Sequence, residues 1–109
     1  MTTQPYATTA PTRAEVDALP GATLIQFGTD WCGHCRAAEP LVNQVLKDYP
    51  QVRHLKIEDG SGRRLGRSFR VKLWPTLIFM RDGVELSQLV RPGNVSLIEE
   101  AFEGMAREG

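Results

Sequence analysis

Two cysteines, and no others, occur in the 109 residues, and they stand in one turn of sequence, Phe27 to Pro40, FGTDWCGHCRAAEP. Cys32 and Cys35 are separated by Gly33 and His34. A Cys-x-x-Cys pair can exchange disulfides or hold a metal. Structural zinc needs four ligands. The chain offers only His34 and His54 besides the cysteines, and His34, lying between them, is badly placed to complete a tetrahedron. An iron–sulfur cluster would need cysteines from a second chain. No metal is therefore expected. A disulfide closing so short a loop removes little entropy from the unfolded chain, so stability does not explain the pair. Two buried, inert cysteines are the remaining alternative to redox chemistry.

The surroundings favour redox chemistry. ATLIQFG, Ala22–Gly28, is an apolar run with β-branched and aromatic residues and ends at glycine, which reads as a buried strand. Cys32 then falls where the next helix begins. The free N–H groups and the positive dipole end of that first turn favour a thiolate over a thiol. An unperturbed cysteine ionises near pH ~8.5, and such a position lowers it. Cys32 is the expected nucleophile, and Cys35, one turn on, the expected resolving thiol. A protonated His34 would stabilise the thiolate further, which favours the reduced form and makes the pair a stronger oxidant than proline in the same slot would. Gly33 leaves room for another chain to approach the sulfur.

The elements that must hold this pair follow from the pattern around it. Thr12 with Glu15 three residues on predicts a capping box and a short helix, which Pro20-Gly21 closes. Leu41, Val42, Val45, Leu46 and Tyr49 share one helical face behind the cysteines, with Pro40 as a kink or joint and Pro50 as the stop. Gln51–Asp59 reads as a second strand and Gly60-Ser61-Gly62 as a loop, with a basic helix over Arg63–Phe69 that Ser61 could cap. Thr76–Met80 is a third strand, Asp82-Gly83 a hairpin turn, and Val84–Val90 the returning strand. Asn94 can cap a last helix carrying Leu97, Ile98, Ala101, Phe102 and Met105. Strand–helix–strand steps predict parallel pairing, and the hairpin adds an antiparallel strand. The expected architecture is α/β, a mixed sheet of four to five strands flanked by helices in one domain, 12–109. Residues 1–11 are expected as a flexible segment or a weak edge strand over Pro5–Ala10. His54 reads as a structural strand residue.

Thirteen basic and thirteen acidic side chains cancel, so neither nucleic acid nor an acidic membrane surface is an expected partner. No apolar run approaches the roughly 20 residues that span a bilayer. MTTQPYATTAPTR lacks the basic start and apolar stretch of a signal peptide, which leads us to expect a cytoplasmic protein.

FGTDWCGHC resembles the active-site segment of the thioredoxin family, Pro40 matches that family's kinking proline, and WPTLIF, Trp74–Phe79, resembles its second signature. MRDGVELSQLV resembles the hairpin that follows. The resemblance runs over about residues 12 to 106. It implies the thioredoxin fold and a thiol–disulfide oxidoreductase that uses no cofactor beyond a redox-active Cys32–Cys35 disulfide. By it, Cys32 attacks a protein disulfide, a mixed disulfide forms, and Cys35 releases the reduced product. Pro75 would be cis against the cysteines, Trp74 and Thr76 would offer backbone to an extended substrate, and Trp31 would shield the thiols and help dock the partner. A thioredoxin-reductase-like donor or a small thiol would recharge the pair, and a monomer is expected. Four departures stand out. Gly33-His34 is the middle dipeptide of protein disulfide isomerases, which points towards oxidation or isomerisation as the alternative to reduction. Gln26 occupies the slot of a buried acid that helps deprotonate the second thiol. Lys56 falls near the family's strand lysine. Arg91-Pro92-Gly93 replaces a small glycine turn, and its charge could select acidic substrates. A non-catalytic binding module or chaperone with the same surface is the alternative from another class.

Overall fold

The structure, a computed structural model, describes residues 4–107. Eight elements follow one another: α1 (Arg13–Asp17), β1 (Ala22–Gly28), α2 (Gly33–Leu46), β2 (Arg53–Glu58), α3 (Arg64–Ser68), β3 (Thr76–Arg81), β4 (Val84–Val90) and α4 (Val95–Arg107). The four strands form one sheet in the order β2-β1-β3-β4. β1 runs parallel to β2 and antiparallel to β3, and β3 is antiparallel to β4. This is the mixed α/β sheet that the sequence predicts. No helix among the described residues is long and apolar enough to cross a membrane.

Strand alternation sorts the core into two layers, because successive side chains of a strand point to opposite faces. Ala22, Leu24, Leu77 and Phe79 face α2 and α4, where they meet Val42, Val45, Ile98, Phe102 and Met105. Ile25, Phe27, Ile78 and Met80 face the other way, against Val16 of α1 and Leu65 and Phe69 around α3. The same parity decides the polar residues. Gln26 lies in step with Leu24, on the α2 face. In β2, Leu55 and Ile57 pack with the second layer, so His54 and Lys56 point towards α2. Register then pairs Gln26 with Lys56 across the strands.

Local signals close the elements as expected. Thr12 and Glu15 form both halves of the capping box. Asn94 Oδ1 accepts the Leu97 N–H at 3.1 Å. Asp82 (φ 50°) and Gly83 (φ 83°) both adopt the left-handed turn that matches strand twist in a two-residue hairpin. A Cβ on Gly83 would collide with the Asp17 carbonyl, so the hairpin also needs glycine to pack on α1. Pro40 sits inside α2 without ending it. One expectation changes. α3 starts one residue later than predicted, with Arg63 as its N-cap and no side-chain cap, because Gly60 (φ 137°) and Gly62 (φ 80°) turn the loop and leave Ser61 exposed and away from the helix end. Within the segment expected to be flexible or a weak edge strand, Ala7 makes an isolated parallel bridge with Ile57, through Ala7 N–H to Lys56 O at 2.8 Å and Glu58 N–H to Ala7 O at 2.9 Å.

Candidate active site

Cys32 is the N-cap of α2, with extended backbone and its sulfur accepting the Cys35 N–H at 3.3 Å. That is the usual reach of an N-cap acceptor to the third helical residue. Both cysteines are free thiols, Cys32 9% and Cys35 1% exposed. Their ionisation is driven apart. Burial pushes the Cys32 thiol up, but the Cys35 thiol, the backbone N–H groups of Cys35 and His34, and the charge of Arg91 together bring it below its ordinary value. Burial pushes Cys35 up to about 11, aided by the neighbouring Cys32 and opposed by hydrogen bonds from the Thr29 backbone and the Tyr6 hydroxyl. One sulfur is therefore primed as a thiolate while the other keeps its proton.

The sequence-predicted residues gather here with some changes of part. His34 is exposed and gives Cys32 its backbone N–H, since amides of the first turn point at the cap while the side chain points outward. The side-chain charge that acts on the sulfur is that of Arg91. Gly33 opens α2 with nothing within 4 Å of where a Cβ would stand, which leaves the approach to Cys32 open. Trp31 is 71% exposed and meets Trp74 edge-on, ring centroids 5.8 Å apart. The Trp74–Pro75 bond is cis. Trp74 Nε1 donates to Asp59 Oδ2 at 2.9 Å. Arg91, at φ 50°, donates its N–H to Pro75 O at 2.9 Å and its Nε–H to Trp74 O at 2.8 Å. Two acceptors of the segment expected to meet a substrate, Trp74 O and Pro75 O, are thus already engaged by the arginine. Thr76 is buried at the start of β3, its hydroxyl donating to Leu73 O at 2.6 Å.

Behind the sulfurs lies a polar layer in which the expected Gln26, Lys56 and His54 are joined by two residues the sequence did not single out, Glu39 and Tyr6. Lys56 Nζ pairs with Glu39 Oε1 at 2.7 Å, both side chains buried, and also donates to Gln4 O. Glu39 was legible in principle: four residues past Cys35 and three before Val42, it falls on the inner face of α2. Tyr6 is buried in one cluster with Cys32 and Cys35, and Lys56 Nζ stands 4.5 Å from its ring centre. Gln26 is fully buried, donating from Nε2 to Tyr6 Oη at 3.0 Å, while its Oε1 lies 2.9 Å from His54 Nε2. Burial, and then the charge of Lys56, lower the His54 pKa to about 4, so the ring is neutral near pH 7. Tyr6, Cys35, Glu39 and Lys56 border a cavity of about 820 Å³ that opens beside α2. Among the described residues, no group of three or more His, Cys, Asp or Glu is placed to hold a metal ion.

Comparison with known proteins agrees with this geometry. The Thioredoxin family model matches residues 6–102 and so takes in Tyr6. A thioredoxin of Aspergillus fumigatus is 29% identical over 79% of this chain and 80% of its own length. A thioredoxin of Chlamydia trachomatis is 34% identical over 64% of this chain and 69% of its own. The structure of thioredoxin 2 from Pseudomonas aeruginosa, in its reduced form, superposes with a TM-score of 0.88 at 60% identity, covering 99% of this chain and all of that one. With a cysteine pair at the head of a helix and a family model spanning nearly its whole length, the chain belongs to the thioredoxin family.

Proposed function

We propose that this thiol–disulfide oxidoreductase reduces protein disulfides through Cys32 and Cys35. The observation that carries the reading is the split between the two sulfurs, Cys32 lowered in pKa at the helix end and 9% exposed, Cys35 raised and 1% exposed. The Cys32 thiolate attacks one sulfur of a substrate disulfide. A Cys32–substrate bond forms, the substrate's own S–S bond breaks, and the departing sulfur leaves with the electron pair and takes a proton. Cys35, deprotonated, then attacks Cys32 Sγ. The Cys32–Cys35 disulfide forms and the second substrate thiolate leaves, so two electrons have passed to the substrate. Trp31, Gly33, Trp74, Pro75, Thr76 and Arg91 form the surface against which an extended substrate docks. A thioredoxin-reductase-like protein or a small thiol returns the pair to the dithiol. The chain works as a monomer in a reducing compartment, the cytoplasm, where such a donor keeps it charged.

Insulin reduction tests this. The wild-type chain precipitates the insulin B chain in the presence of a thiol donor, and Cys32→Ser abolishes that activity. Equal inactivity of both would leave only the binding-module alternative. A second reading, oxidation or isomerisation, is favoured by the stabilised Cys32 thiolate together with the Gly33-His34 pair, because stabilising the reduced form makes a disulfide more oxidising. The potential of the couple separates them. Thioredoxin itself lies at about −270 mV and protein disulfide isomerase at about −180 mV, and a value near the first supports reduction.

A further inference from the structure

Three side chains run in line behind the resolving sulfur, and the exchange chemistry above leaves them without a part. His54 Nε2 lies 2.9 Å from Gln26 Oε1, and Gln26 Nε2 lies 3.0 Å from Tyr6 Oη. Tyr6 Oη and Cys35 Sγ then converge over the backbone of Gly28, where a Cβ would stand 2.8 Å from the one and 2.5 Å from the other. Any residue but glycine at 28 would wedge them apart.

The chain of bonds has a fixed polarity. The Gln26 carbonyl can only accept, so His54 Nε2 carries the hydrogen. The Gln26 amide nitrogen can only donate, so the Tyr6 oxygen accepts. With that lone pair occupied, the phenol's own hydrogen is free to turn towards Cys35 Sγ, which shares its buried cluster and converges with it over Gly28, and a hydrogen bond made there favours the thiolate. Each link is held independently. The Tyr6 N–H donates to Asp30 Oδ1 at 3.0 Å, Ala7 bridges to Ile57, and β1 and β2 present Gln26 and His54 to the same face.

We infer that Tyr6 is a catalytic residue of the resolving step, donating its hydroxyl to the Cys35 thiolate, and that Gln26 and His54 are positioning residues that aim it. The inference rests on the reading that Cys35 resolves a mixed disulfide. In that step Cys35 loses its proton to solvent, its sulfur attacks Cys32 Sγ with a lone pair, the Cys32–Cys35 bond forms, and the substrate sulfur leaves with the electrons of the broken bond. In the mixed disulfide Cys32 carries no titratable proton, and Glu39 and Lys56, which border the same cavity as Cys35, neutralise each other as a pair. Tyr6 is thus the group through which Cys35 ionisation can be raised without adding a net charge.

The size of the effect follows from two opposed terms. A hydrogen bond to a charged group is worth about one to two pKa units. Below the Cys35 pKa each unit gains tenfold in thiolate, but nucleophilicity falls with a Brønsted slope of about 0.4–0.5. The net advantage is therefore about threefold to tenfold near pH 7.

The test uses the aromatic disulfide 5,5′-dithiobis(2-nitrobenzoate) with the reduced full-length chain. Attack by Cys32 releases one thionitrobenzoate, and resolution by Cys35 releases the second, so their rates are read separately. In Tyr6→Phe, which keeps the ring, the second release falls about threefold to tenfold relative to the first near pH 7, and its pH midpoint rises by about one to two units. Gln26→Met moves both in the same direction by less. An unmoved ratio and midpoint in Tyr6→Phe overturns the inference, and if that variant does not fold, the same result in Gln26→Met does. A wild-type chain that gives no first release overturns the proposed function itself; a normal first release with an unmoved second overturns only the part given to Tyr6.

Discussion

At the head of α2, Cys32 borders solvent between Trp31 and the Arg91 turn, and its sulfur collects N–H donors. Three residues later Cys35 is sealed beneath the helix, against a phenol, an amide and a paired lysine and glutamate. The first environment is made of backbone and of charge reaching in from a loop. The second is made of side chains whose positions the strands dictate. The difference shows how one helical turn can hold two chemically identical groups in opposite protonation states. The helix end stabilises an anion only at its cap, and burial penalises the anion everywhere else.

Breaking the pair gives the largest effects. Cys35→Ser leaves the attacking sulfur and removes the resolving one, so a stable covalent adduct with a disulfide substrate accumulates and is seen as added mass. Cys32→Ser gives no adduct and loses on the order of 10³-fold or more in turnover, since removing a nucleophile removes the step. An adduct on Cys35 in the latter variant would reverse the assignment of the two sulfurs.

Next in size is the polar layer under Cys35. Lys56→Met leaves Glu39 buried without its partner, which costs about 3 kcal/mol, measured by denaturant unfolding. Glu39→Leu with Lys56→Met recovers most of that loss, because a buried pair can be replaced by apolar groups at little cost. His54 adds an acid limit. It binds its proton near pH ~6.5 when unfolded but only near pH 4 when folded. Between those values the unfolded chain holds more protons, so stability falls as pH drops through the window, by up to about 3 kcal/mol. Chemical unfolding at pH 7 and pH 4.5 measures this, and His54→Asn flattens it.

The smallest effect sharpens the surface side. Arg91→Gln removes the exposed charge that helps hold Cys32 as a thiolate. The rate of Cys32 alkylation near pH 7 falls about twofold to threefold, and added salt narrows the gap to wild type. A variant indistinguishable from wild type at low salt would hand the acidification of Cys32 to the Cys35 thiol and the helix end.

How much of this was legible in the sequence follows the same division. Cys32, Cys35, the capping box at Thr12, the two-residue hairpin and the four strands rest on neighbours a few residues apart, and the sequence displays such signals directly. Tyr6 does not. Its partners are Asp30, Gln26 and Cys35, 20 or more positions away, and its segment pairs through a single bridge within a polar, proline-containing run. Glu39 went unnamed because nothing near it in the sequence announces Lys56, and His54 was legible as a strand residue but not as the end of a hydrogen-bonded line. The Ser61 cap failed because two glycines redirect a loop in ways residue preference alone does not encode.

Residues 4–8 lie across the bottom of the redox pair, attached by a handful of bonds through Gln4, Tyr6, Ala7 and Thr8 and woven into no strand. A peptidase nick just after Ala10, or a bulky fusion joined ahead of Gln4, would loosen that strap while sparing the sheet. With Tyr6 no longer held beside Cys35, such a molecule is expected to seize its substrate but release it slowly, which would make residues 4–8 a throttle on turnover.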